Sequence, residues 1–398
     1  MAKIECTFWG VGQGLFSSGQ VHLPNSKFVW VYDCGSENFS LVQKAIHRMK
    51  VDYQQEDIDL LVISHFDKDH INGIKELCNN YHIKKIMLPY YPLAERLILA
   101  YMLKINQNDD FFELFVNPIN YFINSVNVSK ETEFLLAPIS DIYSNSDPNI
   151  DPPQGDDELL LYEIQPLSSE FSSISNKVRW LNPKQYFTCQ NEIEFFFYNV
   201  PIHYLKKYPT NFSVFKKHID NIIAVKPLDI ISIRKVYEKY FIRQNKKGEN
   251  NSKDANVISL FLYVSPLSSI YSNIELRIGQ VKSVTYSRYL YMYDFGYQHK
   301  KGILYTGDGS LKTKKLLNSF QNSMGDRLNN IAYLQVMHHG AEGNWRKGLG
   351  SLFSPVASIF SADENGKYNH PHDKVVKDFL PYNPILVNQF RDLILLIS

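Results

Sequence analysis

Seven residues, Ser64-His65-Phe66-Asp67-Lys68-Asp69-His70, constrain this chain most, because they place four potential metal ligands directly after the apolar run Leu60-Leu61-Val62-Ile63. The spacing predicts a short buried strand that ends at Ser64, after which the chain must turn. His65 and Asp67 then project together, and Asp69 and His70 follow from the next bend. Imidazole and carboxylate suit zinc, manganese and iron, so this stretch can hold one ion and begin a second site. Alone, an acidic loop with two histidines also fits a solvated turn.

Three later clusters favour the metal. Thr306-Gly307-Asp308 follows Ile303-Leu304-Tyr305, Val336-Met337-His338-His339-Gly340 closes another apolar run, and Tyr368-Asn369-His370-Pro371-His372 precedes a helix-like segment. Each puts ligand-type residues at the end of an expected strand or the start of a helix, where an α/β scaffold collects a site.

In this order, HxDxDH followed by Gly73, then TGD, HHG and HPH, the motifs resemble those of the metallo-β-lactamase fold, specifically the hydrolase domain of ComEC-type DNA-uptake proteins. Phe8-Trp9-Gly10-Val11-Gly12-Gln13-Gly14 resembles that family's opening VGQG turn, and Val31-Tyr32-Asp33-Cys34-Gly35 its second-strand DxG. Asn256-Val257-Ile258-Ser259-Leu260 is similar to its N-x-x-S-L strand before TGD. The likeness covers about residues 1 to 90 and 255 to 380. Gly10 and Leu15 stand where the family usually carries Asp, Ala341 replaces the common Ser after HHG, and Asp67 replaces a usual His, a mark of ComEC-like members. None of His82, His203, His218 and His299 lies in a motif that would supply the further His ligand of other members.

The resemblance implies an α/β fold, an αββα sandwich with the metal site along one edge between its sheets and a large internal insertion. The first half spans 1–93, an inserted subdomain or cap 94–250, and the second half 251–398. Two divalent ions, zinc or manganese, are the implied cofactors. Ions about 3.5–4 Å apart can share a bridging hydroxide and stabilise both attacking and leaving oxygens. By ligand type, Asp308 is the candidate bridge, His65 and Asp67 serve the first ion, and Asp69 and His70 the second. The His370-Pro371-His372 turn is expected to add a ligand, while His338 and His339 divide between a ligand and a general acid or phosphate donor. Which ring nitrogen faces the metals stays open. Asp69, His338 and His339 are the catalytic candidates, and Asp33 either hydrogen-bonds a ligand histidine or shapes a turn. The implied activity is metal-dependent phosphodiester hydrolysis of nucleic acid or a nucleotide. The same fold also supports hydrolysis of a small ester, thioester or lactam. A non-catalytic regulatory module would be marked by lost ligands, and this chain retains nearly all of them.

The net charge of +1 creates no whole-molecule field that advertises nucleic acid, although basic patches can be local. Cys6, Cys34, Cys78 and Cys189 form no CxxC pair, which argues against a zinc ribbon or disulfide framework and fits a reduced cytoplasmic setting. The start, Met1-Ala2-Lys3-Ile4-Glu5, lacks an apolar signal segment, and no run of about 18 apolar residues occurs, so no membrane association is expected. Nothing points to a particular protein partner.

Strands are predicted over 4–9, 28–32, 59–63 and 84–88, with helices near 40–49, 72–80 and 92–104. About 165 residues then separate this part from the strand before TGD, which points to an insertion. Within it, 144–158 is rich in Pro, Asp and Asn and reads as an exposed loop, and Phe195-Phe196-Phe197-Tyr198 reads as buried. The segment 233–247 interleaves Tyr237, Tyr240 and Phe241 with cations, of which Lys239, Arg243, Lys246 and Lys247 are the candidate phosphate contacts. The plainer reading of that segment is an amphipathic helix packed by its aromatics on the core. Strands over 257–264, 302–305, 332–337 and 357–361 and helices over 310–320 and 373–379 complete the pattern.

Overall fold

Strands that are apolar on both faces force a layered fold. In Leu60–Val62, Leu60 and Val62 enter one apolar cluster and Leu61 a second, so the strand needs cover on each side. Ile193–Asn199 behaves alike: Ile193, Phe195 and Phe197 point into one cluster, Phe196 and Tyr198 into another, and the strand is buried throughout, as its aromatic run predicts.

The structure, a computed structural model, describes residues 3–23, 26–54, 57–139, 177–181, 186–200, 212–225, 229–242, 258–267, 273–281, 286–297, 299–363 and 366–398. Two large sheets dominate. The ten-stranded sheet runs in the order Tyr286–Tyr297, Asn273–Val281, Arg391–Ile397, Lys3–Phe8, Phe16–His22, Lys27–Cys34, Leu60–Val62, Lys85–Pro89, Glu133–Ala137, Val178–Trp180. The seven-stranded sheet runs Tyr186–Cys189, Ile193–Asn199, Leu260–Pro266, Gly302–Tyr305, Ile331–Gln335, Ala357–Ser361, Pro384–Val387. Cys6, Trp30 and Val62 from the first meet Leu262, Tyr305 and Ile359 from the second in the seam between them. Helices Phe39–Tyr53, Ile74–Asn80 and Leu93–Met102 cover the outer face of the first sheet, and Lys314–Met324 and Asp373–Phe379 that of the second. This is the expected αββα sandwich.

Described parts of the stretch expected as an inserted subdomain or cap, 94–250, take part in both main sheets. Glu133–Ala137 and Val178–Trp180 continue the first sheet in parallel beyond Lys85–Pro89, while Ile193–Asn199 adds to the second antiparallel to Leu260–Pro266 and Tyr186–Cys189 pairs antiparallel with Ile193–Asn199 at its edge. A strand as apolar on both faces as Ile193–Asn199 is better buried in an existing sandwich than on a small added layer. The helices Leu93–Met102, Phe112–Val116, Phe212–Val225 and Ile230–Tyr237 of this region add to the outer layer of the first sheet. The loop expected around 144–158 lies outside the described residues.

The C-terminal strand, not anticipated from the sequence, closes the first sheet. Arg391–Ile397 inserts antiparallel between Lys3–Phe8 and Asn273–Val281, with Ile4 opposite Ile397 and Phe8 opposite Leu393. A buried ion pair pins it: Arg48 Nε and Nη2 lie 2.9 and 3.0 Å from the two oxygens of Asp392, whose Oδ1 also accepts the Gly10 amide. Gly10 is needed for that approach, since a Cβ there would fall 2.5 Å from the Asn388 carbonyl oxygen. Leu15, the other departure from the family pattern, is fully buried in the seam.

Removing one member of a buried ion pair strands the other charge. Asp392→Ala is therefore expected to lower the unfolding free energy by about 3–5 kcal/mol in urea titration. The double substitution Arg48→Met/Asp392→Leu should recover most of that loss; equal losses for single and double variants would mean that the pair's charge is not what matters.

Candidate metal centre

Parallel strands bring the motifs together because their C-terminal ends lie side by side. Tyr32 is in register with Val62, so Asp33 and Ser64 emerge as neighbours, and Leu304 is in register with Leu334, which sets TGD beside HHG. Ser64 donates to Asp33 twice, from its amide to Oδ1 at 2.7 Å and from Oγ to Oδ2 at 2.6 Å. Beyond it, Asp67 caps the single helical turn Lys68–Ile71 by accepting the Lys68 amide, and that turn swings Asp69 and His70 back towards His65. On the second sheet, Gln335 Oε1 accepts the amides of Thr306 and Gly307 at 2.7 and 2.8 Å and shapes the TGD turn. Gly307 has φ +52°, and a Cβ on it would meet Ser259 Oγ at 2.4 Å and Ser64 Cβ at 2.7 Å. The turns of the two sheets therefore touch at this glycine.

His338 and His339 both lie in the left-handed region, with φ 46° and 55°. Such backbone costs about 1–3 kcal/mol per residue, and here it turns both imidazoles to one side. His339 Nδ1 donates to the Ser361 carbonyl at 2.6 Å, and His70 Nδ1 to Asp33 Oδ2 at 2.8 Å. The Ser64 hydroxyl gives its proton to Asp33, so it can only accept from His65 Nδ1, 2.8 Å away. Asn344 Nδ2 donates to the Asp308 carbonyl at 2.7 Å, which orients the amide so that Oδ1 accepts from His338 Nδ1 at 2.9 Å. With these tautomers assigned from the hydrogen-bond network, all four rings have Nε2 as their remaining nitrogen.

Those Nε2 atoms converge on Asp308. Oδ1 lies 3.0 Å from His70 and 3.4 Å from His339; Oδ2 lies 3.4 Å from His338 and 3.9 Å from His65. Asp69 Oδ2 is 3.5 Å from His339 Nε2. Two overlapping groups of ligand atoms close enough to share an ion result, His65 with His70 and Asp308, and Asp69 with His70 and His339. The Nε2 atoms of His65, His70 and His339 are buried and find no hydrogen-bond partner outside this cluster, an arrangement expensive for a polar core and natural for ligands of a cation.

The electrostatics agree. Burial disfavours the charge of Asp308, yet His338, His70 and His339 hold its carboxyl well below the usual carboxylate range. Burial works against Asp69 too, but His70 and His339 bring it down to about 2. Around His70, burial is outweighed by Asp308, Asp33 and Asp69, which raise the imidazole well above its ordinary pKa. Burial and His70 lower His65 to about 3. Ionised carboxylates thus hold protons on neighbouring rings, and a divalent cation can take the place of those protons.

His65, Asp69, His70, Asp308, His338 and His339 are therefore brought together as expected. Asp67 is placed outside both ligand groups: its carboxylate caps the helical turn, and burial with Asp69 and Asp308 raises it to about 7. His370 and His372 join neither group. The His370 ring centre is 5.6 Å from that of His338 and 6.1 Å from that of His339, at the mouth of the site. His372 Nδ1 accepts the Glu342 amide at 3.2 Å, so its lone pair there is spent on the backbone. Of the basic segment, Tyr237 and Phe241 are buried in the outer core layer, Arg234 pairs with Glu113 at 3.3 Å, and Lys239 sits 5.7 Å from the Tyr240 ring centre. That is amphipathic packing; Arg243, Lys246 and Lys247 lie outside the described residues. His82 pairs with Asp57 and His218 with Tyr240, which assigns both away from the ligand groups.

Sequence reasoning missed Ser64, Gln335 and Asn344. Gln335 carried a signal, being polar at the end of an otherwise apolar strand, whereas Asn344 carried none, because its role depends on a turn that folds back on Asp308.

The family model of the Metallo-beta-lactamase superfamily matches residues 24–142, a span that includes Asp33 and the HxDxDH motif. With the αββα sandwich it marks a metallo-β-lactamase fold. No curated protein matches the chain. Among solved structures, the metallo-beta-lactamase fold protein YhfI from Bacillus subtilis is similar at 10% identity, with 98% of each chain covered and a TM-score of 0.36.

Asp308→Ala is expected to abolish metal retention while the protein stays folded, measured by elemental analysis after reconstitution with zinc or manganese. Asp33→Asn, which touches no ion directly, should weaken metal affinity by about 10–100-fold through His70. Unchanged affinity in both variants would remove these histidines from the metal centre.

Proposed function

We propose that this protein is a metal-dependent phosphodiesterase acting on nucleic acid or a nucleotide. One observation carries the reading: imidazole and carboxylate atoms converge in two overlapping groups, His65 with His70 and Asp308, and Asp69 with His70 and His339, a donor set suited to two ions. His65, Asp69, His70, Asp308 and His339 would hold the ions, and this mix of imidazole and carboxylate suits zinc or manganese. Bound there, divalent ions would supply Lewis acidity to a phosphoryl oxygen and make water a competent nucleophile near neutral pH.

The remaining chemistry belongs to side chains. His338 faces Asp308 from the edge of the site and is partly exposed, and His370 stands beside it at the mouth. His370, whose Nδ1 faces Gln13 Nε2, can donate from Nε2 to a non-bridging phosphate oxygen, and His338, once protonated at Nε2, can give that proton to the leaving oxygen. Asp33, through Ser64 and His70, holds the rings so that little reorganisation accompanies the reaction. The ComEC-type motif order supports nucleic acid or a nucleotide as substrate.

The second reading is hydrolysis of a small ester, thioester or lactam, which the same fold supports with similar ligands. An apolar cavity against His65, whose other walls include Phe66, Leu99, Phe115 and Ile258, has a volume of about 20 Å³, room for a methyl-sized group and no more.

Metal-reconstituted protein is expected to hydrolyse bis(4-nitrophenyl) phosphate and oligonucleotides. His338→Ala should lower kcat by about 100-fold or more with metal content unchanged, as expected for a general acid. Activity on nitrophenyl acyl esters with none on either phosphodiester would transfer the assignment to the second reading.

A further inference from the structure

A column of three rings leads from the buried centre to solvent. The rings of His339 and His370 stack with centres 6.1 Å apart and planes at 24°, and His370 and Tyr368 continue the stack at 5.8 Å and 23°. His339 belongs to a ligand group and is buried, whereas Tyr368 is 44% exposed. The outermost ring is nonetheless held in place. Tyr368 Oη donates to Glu37 Oε1 at 2.7 Å, the same oxygen pairs with Lys367 Nζ at 2.8 Å, and that ammonium lies 4.6 Å from the Tyr368 ring centre. Glu37 is in turn tied to the first glycine-rich turn, where its amide donates to the Gln13 carbonyl at 2.8 Å, and Gln13 Nε2 approaches His370 Nδ1 at 3.4 Å.

An exposed aromatic side chain usually gains little from being fixed. Here the hydroxyl, one ring face and the flanking lysine are all engaged, so the ring has lost its freedom before any ligand arrives. A preorganised aromatic surface, reached from the reactive centre through two stacked imidazoles, fits a planar aromatic group joined to the group that reacts. Resting on the phosphodiesterase reading, we infer that Tyr368 is a stacking platform for the nucleobase adjoining the reacting phosphate, with Lys367, whose ammonium lies over the ring, adding positive charge. The substrate class is thereby narrowed to nucleotides or short single strands whose bases are free to stack, since a paired base within a duplex has no open face.

The test is calorimetric binding to the metal-loaded full chain, with adenosine 5′-monophosphate and ribose 5-phosphate as probes that differ only in the base. Base-to-aromatic stacking corresponds to about tenfold in affinity or more. The wild type should therefore bind the nucleotide at least about tenfold more tightly than the sugar phosphate. Tyr368→Ala should erase that difference at unchanged metal content, and Tyr368→Trp should restore it. Equal binding of the two probes by the wild type, or a preference that survives in Tyr368→Ala, would overturn the platform and leave the phosphodiesterase reading intact. Binding of neither probe would count against phosphate recognition itself, and the platform would fall with it.

Discussion

The site rests on a pair of tyrosine rings. Tyr32, one residue before Asp33, stacks on Tyr305, which directly precedes the TGD turn, with ring centres 4.8 Å apart and planes at 26°. Phe8 also stacks on Tyr305, with ring centres 5.4 Å apart and planes at 27°, and Tyr32 Oη donates to the Leu260 carbonyl at 2.6 Å. These rings lie in the seam between the sheets and fix how the two strand ends approach. His65, Asp69 and His70 come from one sheet, and Asp308, His338 and His339 from the other. Neither sheet alone holds enough ligands for the centre, so the apolar seam and the metal chemistry are inseparable.

Around that seam the polar groups are spent with little redundancy. Asp33 uses both oxygens on Ser64 and shares one with His70; Gln335 serves two amides of the TGD turn; Asn344 orients His338 while holding the backbone of Asp308. Each of these side chains is buried, and each removes the choice of ring nitrogen from a histidine or the choice of path from a turn. The result is a set of imidazole nitrogens and carboxylate oxygens whose directions are settled before an ion arrives. Burial of several charges in one place is costly unless they are compensated. In this centre the histidine protons provide that compensation, and a divalent cation would provide it more fully.

Much of this was legible in the residues. The four motif clusters, their order and their positions after apolar runs led to the sandwich and to five members of the two ligand groups, because strand periodicity and ligand chemistry are local properties. Asp67 shows the limit of local reasoning. It alternates with His65 as a strand residue would and keeps an extended backbone, but its carboxylate caps the helical turn that follows. His372 shows the same limit, since a backbone amide thirty positions earlier in the chain claims one of its nitrogens.

The middle of the chain and its C-terminus were read least well. Ile193–Asn199 announced its burial through its aromatics, but whether it would join a cap or a main sheet depends on which edge is free, a property of the assembled sheets. Arg391–Ile397 finds its partners Lys3–Phe8 nearly four hundred residues away, and no local pattern encodes that pairing. By itself the sequence determined which side chains can ligate a metal and which segments must be buried, since both follow from chemical type and short-range spacing. Only the tertiary structure decided which nitrogen of each histidine faces the centre and which carboxylate stands between them, because hydrogen-bond partners and strand neighbours are set by groups distant in the chain.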